Sequence, residues 1–181
     1  MNVHIKNEML KKFIEKFSET GIENTSIRDL CKHAGVNSKD VYQLFENKEN
    51  IVIQAGLYVN NIIETELRKH IEEYANNNVL MGEYFFDTFK KYVKEIRFCI
   101  QLMSSPNPAY QQLSSGCANI RAWSDEVAGI LGIDKDKFEA LFLLFMSMMY
   151  YYCMTGDERA AKIQRYYLYE TIHNETTESK K

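Results

Sequence analysis

Between Thr25 and Lys48 the sequence TSIRDLCKHAGVNSKDVYQLFENK concentrates cations and hydrogen-bond donors at helical spacing, the equipment for holding and reading a polyanion. Lys39 and Gln43 stand one helical turn apart, and with Arg28 they have the donors to meet base edges in a DNA groove. Tyr42 and Lys48 suit phosphate instead. Asn47 can cap a helix whose first residue is Lys48, so a cation would stand beside unpaired backbone amides. Thr25, Ser26, Asn37 and Ser38 add hydroxyl, amide and helix-end groups around them.

Such side chains work only if two short helices present them rigidly, and the apolar residues between them have that spacing. Ile27, Leu30, Ala34, Val36, Val41 and Leu44 supply the faces that two crossing helices bury, and Cys31 is the small residue where they cross. Gly35 falls at the turn, where a left-handed backbone costs it least. Thr25 or Ser26 can cap the first helix; Asn37 opens the second, with Asp40 three residues on, close to a capping box. The spacing therefore predicts a helix-turn-helix whose second, recognition helix runs from about Ser38 to Phe45.

These residues resemble the N-terminal domain of the TetR family of bacterial transcriptional regulators. The resemblance begins upstream, where LKKFIEKFSETGIENTSIRDL follows that family's first helix, its Phe before the Gly turn and its Thr/Ser start of the second helix. It continues through AGV, Tyr42, Phe45 and the NKENI segment, and covers roughly the first 55 residues in one register. Two positions depart from the family pattern: Lys39 and Asp40 stand where Gly and Thr are usual, which changes how closely the backbone approaches DNA and sets a carboxylate near phosphate.

Composition supplies no bulk electrostatic attraction. The chain of 181 residues carries a net charge of −3, and residues 1–55 hold eight basic and eight acidic side chains, so DNA binding must rest on local placement. The start MNVHIKNEMLKKF reads as an amphipathic helix rather than a secretion signal, and the most apolar run, Leu141 to Met154, is shorter than the roughly 20 residues that span a bilayer. A cytoplasmic protein with no membrane partner is the expectation. Cys31, Cys99, Cys117 and Cys153 lie among apolar positions without CxxC spacing and read as reduced core thiols. His4, His33, His70 and His173 have no partner at metal or triad spacing and read as surface or helix-end histidines. DKDKFE at 134–139 lacks the Gly of a calcium loop, so neither an enzyme nor a metal or other cofactor is expected.

The remaining periodicity is helical, which predicts an all-α chain: an N-terminal three-helix domain joined by a long helix to a C-terminal helical bundle. The expected boundaries are residues 1–55 for the helix-turn-helix domain, 56–173 for a ligand-binding and dimerisation domain, and 174–181 for a disordered tail. The linking helix should run from Lys48 to about Tyr74, followed by a segment with apolar positions from Phe85 to Met103 that the SSPNP sequence ends. A face traced by Leu113, Cys117, Ile120 and Val127 follows, with Gly132 as its stop. Asp134 should cap a further helix of about 20 residues, and Glu158 to His173 should form the last.

Lys135 to Met154 is apolar around most of its circumference, so that helix is either central in the bundle or packed on a second subunit. An isologous homodimer would present two recognition helices to successive major grooves of a palindromic double-stranded operator. The resemblance implies the same, since TetR-like regulators pair through their last two helices. Phe145, Met148, Tyr151, Tyr152, Tyr166 and Tyr169 are the candidates, with an aromatic core as the alternative for the tyrosines. The resemblance also implies release from DNA by a small ligand. Tyr84, Phe85, Phe89, Tyr92, Met103, Trp123, Phe142, Met146 and Met149 form a Met and aromatic set suited to an apolar or aromatic effector, or simply to core. Arg97 and Gln101, at the edge of that stripe, would orient a polar end. The expected function is a ligand-responsive repressor; the alternative, motivated by Asp40 and the neutral N-terminal domain, is a helical small-molecule-binding or interaction protein without sequence-specific DNA binding.

Overall fold

Met9, Leu10, Phe13, Ile14 and Phe17 recur at the helical period, and burying them makes the first helix, α1 (Val3–Thr20), one wall of a core. The structure is a computed structural model that describes residues 3–74, 77, 84, 86–114, 125–130, 132–159, 162–163, 166–167, 170–171 and 174. Among these residues no strand occurs. After α1 come α2 (Ile27–Ala34), α3 (Ser38–Phe45) and the long α4 (Lys48–Tyr74). Their ends follow local chemistry. Ser26, not Thr25, caps α2 in a reciprocal box with Asp29, and Gly35 closes it at φ 68°. The Asn37 side chain accepts from the Lys39 amide, and Asn47 Oδ1 accepts from the Asn50 amide at 2.8 Å to start α4.

The core of this unit is aromatic. Phe13 meets Phe45 edge-on at 5.9 Å, and Leu30, Val41, Ile51 and Val52 around them are fully buried. Two later helices belong to the same compact unit, which comprises Met1–Ile63 and Lys94–Ser115: α5 (Val93–Ser104) and α6 (Pro108–Ser114). Packing thus groups residues differently from the sequence division at residue 55. Phe98 of α5 stacks on Phe17 at 5.6 Å. At Gly56 a methyl group would come within 3.1 Å of Leu113 and 3.2 Å of Leu102, so a side chain there would press on both leucines where α4 meets α5 and α6. Asn107 Oδ1 accepts from the Ala109 amide, and Pro108 takes the first helical position, where its lack of an N–H costs nothing.

The second unit comprises Glu64–Val93 and Gly116–Lys181. Along the last part of α4, Glu66, His70 and Tyr74 stand four residues apart, and each meets a residue of the following helical segment in antiparallel order. The Tyr92 hydroxyl donates to Glu66 at 2.7 Å, the Thr88 hydroxyl lies 3.0 Å from His70 Nδ1, and Tyr84 lies 5.6 Å from Tyr74. His70 is therefore buried, not a surface histidine, and its ring lies tilted against that of Tyr74 at 4.8 Å. The helical run expected from Phe85 to Met103 is interrupted at Lys91 and Tyr92. Both turn toward the Glu66 carboxylate, and the Tyr92 amide bonds back to the Phe89 carbonyl in a four-residue turn.

Lys91 beside Glu66, assisted by the Tyr92 hydroxyl, holds the Glu66 carboxyl below its ordinary value of 4.5. A depressed folded value means that this contribution is complete above pH 4.5 and is lost as pH falls through the folded value. Glu66→Gln should therefore lower stability by roughly 0.5–1.5 kcal/mol in urea unfolding at neutral pH, the exposed lysine screening part of the pair. The difference should close on acidification below 4.5. A deficit that persists unchanged in acid would assign the loss to packing.

The last described helix of full length is α7 (Lys135–Thr155), opened by Asp134, whose carboxylate accepts from the amides of Asp136 and Lys137, and closed by Gly156 at φ 69°. It is long and apolar enough to cross a membrane by composition. One side is packed inside the unit: Leu141, Phe145, Met148, Met149 and Cys153 are buried, with Phe145 edge-on to Phe89 and Tyr152 edge-on to Phe86. The opposite side is apolar yet exposed, carrying Leu143, Leu144, Tyr150, Tyr151 and Met154. Cys31, Cys99 and Cys153 are free thiols, Cys31 and Cys153 buried; Cys117 and the 175–181 tail lie outside the described residues.

Candidate nucleic-acid interface

Helix α3 buries Val41 and Phe45, packs Leu44 partly against the same core and turns its other residues outward. Ser38, Lys39, Asp40, Tyr42 and Gln43 are all exposed, and Tyr42 shows about half its surface to solvent (52%), a large aromatic with a polar tip outside the core. The i, i+3 and i+4 spacing sets Lys39, Tyr42 and Gln43 on one side. Asp40 is not a cap here: Asn37 caps through the Lys39 amide, which leaves the Asp40 carboxylate at the outer surface of the first turn. The helix ends at Glu46, whose φ of 63° is a left-handed backbone uncommon outside glycine, with its amide bonded to the Tyr42 carbonyl.

Flanking α3 in the chain are side chains of the types suited to a phosphate backbone. Arg28 is exposed in the first turn of α2. Lys48 is half-buried at the first position of α4, and its Nζ donates to the Glu23 carbonyl at 3.4 Å, which fixes its charge beside the loop leading into α2. Ser26 is exposed, with its hydroxyl engaged by Asp29; the Ser26 hydroxyl and amide hold the Asp29 carboxyl below its usual range. Thr25 corrects an expectation. Its side chain is buried, its hydroxyl donates to the Gly21 carbonyl at 2.6 Å and lies 2.7 Å from the Thr20 hydroxyl, so it braces the loop and presents nothing to a groove.

The same unit carries contacts that sequence reasoning missed. Glu15 of α1 accepts from Lys94 of α5 and lies 3.3 Å from His33 at the end of α2, and these partners, Lys94 foremost, hold its carboxyl below the ordinary value. Gln101, expected at a ligand's polar end, instead accepts through Oε1 from the Ile22 amide at 3.1 Å. Polar residues on α5 facing α1 were the available signal, and it cannot be told from a solvated face without the fold.

The effector candidates divide. Phe89 and Met149 are buried and Phe142 half-buried in the second unit, where Phe89 lies 6.5 Å from Tyr92 and 5.9 Å from Phe145. Tyr84 and Met146 are exposed, Met103 is exposed on α5 in the first unit, and Phe85 and Trp123 lie outside the described residues. Of the pairing candidates, Phe145 and Met148 are buried within the protomer and so are unavailable to a partner, because the helix turns that face inward. Tyr152 is half-buried on Phe86, Tyr151 and Tyr166 are exposed, and Tyr169 lies outside the described residues.

Two short helices crossing at a Gly turn, the second with a polar outer face, followed by a helix whose first residue is a pinned lysine, define a helix-turn-helix DNA-binding protein. Residues 14–55 match the family model for bacterial regulatory proteins of the tetR family. Over those residues the chain is similar to the N-terminal domain of that family. It is 25% identical over 156 residues, 81% of this chain and 83% of the relative, to the negative transcriptional regulator IcaR of the biofilm operon icaADBC in Staphylococcus epidermidis. In fold it is similar to a transcriptional regulator from Rhodococcus, at TM-score 0.75 and 14% identity, covering 94% of this chain and 95% of that one. It is also similar to the regulator FadR of Bacillus subtilis, solved with stearoyl-CoA, at TM-score 0.64 and 16% identity, covering 91% and 96%.

Proposed function

We propose that this protein is a cytoplasmic homodimeric repressor that binds a palindromic operator through α3 and leaves it when a small apolar or aromatic molecule binds among the C-terminal helices. The observation that carries the DNA half is the outer side of α3: Lys39, Tyr42 and Gln43 are exposed and, among the described residues, none of these side chains is engaged in a hydrogen bond or ion pair. Residues 1–55 hold the DNA-contacting groups, and residues 56–173 respond to the effector and pair the subunits. Repression is supported by the negative regulator IcaR, and an apolar effector by the stearoyl-CoA complex of FadR. The mechanism is a population shift: a ligand that favours one dimer geometry lowers the fraction whose recognition helices match the half-site spacing.

Selection of bound duplexes from random DNA tests the first half; the expected result is a two-fold symmetric site, and no enrichment would leave the protein a helical binding module without operator function. Titration with a library of fatty and aromatic molecules tests the second. Trp123 is the sole tryptophan, so its emission should change together with release of the selected duplex. A library that moves neither would assign the Met and aromatic residues to packing alone.

A further inference from the structure

Helix α5 and the residue that follows it touch the DNA-binding part of their unit at a series of points that advance together along both segments. Lys94 pairs with Glu15, Phe98 stacks on Phe17, Gln101 accepts from the Ile22 amide, and the Ser105 hydroxyl lies 3.4 Å from the Glu23 carboxylate. The last two land on the loop from Gly21 to Thr25. That loop begins with Gly21 at φ 88° and is stitched by the Thr25 hydroxyl on the Gly21 carbonyl. Its middle is held by Lys48, whose ammonium donates to the Glu23 carbonyl, and its end is Ser26, the cap of α2.

We propose that Gln101 is a positioning residue for DNA binding: by accepting from the Ile22 amide it fixes this loop and, through it, the placement of α2 and of Lys48. The inference rests on the DNA-binding reading above. Ile22 is 3% exposed, so its N–H cannot turn to water where it stands. Without the Gln101 oxygen the amide is an orphan, and the loop relieves it by opening toward solvent. Opening strains the Thr25 to Gly21 bond, moves the carbonyl that Lys48 holds, and shifts the start of α2, while the cores of both units keep their contacts. Gln101 itself lies on α5, outside the motif that presents side chains to DNA.

The test compares Gln101→Met, which keeps the length and loses the acceptor, with Gln101→Glu, which keeps an acceptor oxygen. Each is measured for hydrogen exchange at the Ile22 amide, for melting temperature and for affinity to the duplex that the wild-type protein selects from random DNA. Gln101→Met should exchange that amide at least about tenfold faster and bind the duplex roughly 5–20-fold more weakly, at a melting temperature within a few degrees of wild type. Gln101→Glu should stay within about threefold of wild-type affinity. Wild-type affinity in Gln101→Met, or an equal loss in both variants, overturns the positioning role. A wild-type protein that selects no sequence overturns the DNA-binding reading itself, a separate outcome.

Discussion

Replacing Leu144 and Tyr151 together by glutamate should convert the proposed dimer into folded monomers and weaken binding to the selected duplex by about 100-fold or more, because two half-sites are then no longer bound by one linked particle. The two residues stand seven apart on the outward side of α7, exposed by 62% and 43%, so the protomer's core does not depend on them. In an isologous pair each substitution appears twice, and four carboxylates would meet across an apolar contact. Met148→Glu is the control with the opposite signature. At 2% exposure it buries an unpaired carboxylate in the protomer, which should cost 3 kcal/mol or more and lower the melting temperature whatever the oligomeric state. Equilibrium sedimentation at micromolar concentration separates the cases. A wild-type protein that is monomeric there, or a double variant that stays dimeric, removes this face as the basis of palindromic recognition.

That face marks where the sequence stopped being legible. Helix caps are local chemistry, and Asn37, Asn47, Asp134, Gly35 and Gly156 act where their types place them. Thr25 and Ser26 are equally good caps as residue types; the choice fell to Ser26 because Asp29 lies three residues after it and completes the reciprocal box, which leaves Thr25 to brace the loop. The inward phase of α7 was not readable, since apolar residues encircle it and periodicity cannot choose a side. Nothing in residue type sets Phe145 and Met148 apart from Leu144; the packing of Phe89 against Phe145 decides which side faces inward. His70 was hidden for a related reason: a polar residue is buried when its partner arrives from elsewhere, and Thr88 is 18 residues away. The Gln101 contact with Ile22 spans 79 residues, a separation at which side-chain type carries no information about the partner.

The outer side of α3 should separate affinity from specificity in two single variants. Lys48→Ala removes a cation whose position is set by α4 and the Glu23 carbonyl. It should weaken binding to matched and mismatched duplexes alike, by roughly tenfold at 0.1 M salt, and reduce the slope of log affinity against log salt by about one. Gln43→Ala leaves that slope unchanged and removes an amide able to bond adenine through two atoms. It should cost about 1–3 kcal/mol on the selected duplex and little on unrelated DNA, so the ratio between them falls by roughly 5- to 150-fold at one base pair in each half-site. Asp40, exposed one residue after Lys39, makes the comparison sharper, because a carboxylate there repels phosphate and tolerates only a register that keeps it over a base donor such as cytosine N4. If Lys48→Ala changes base preference while Gln43→Ala alters only the salt slope, then Gln43 faces the backbone, and α3 lies in the groove the other way round.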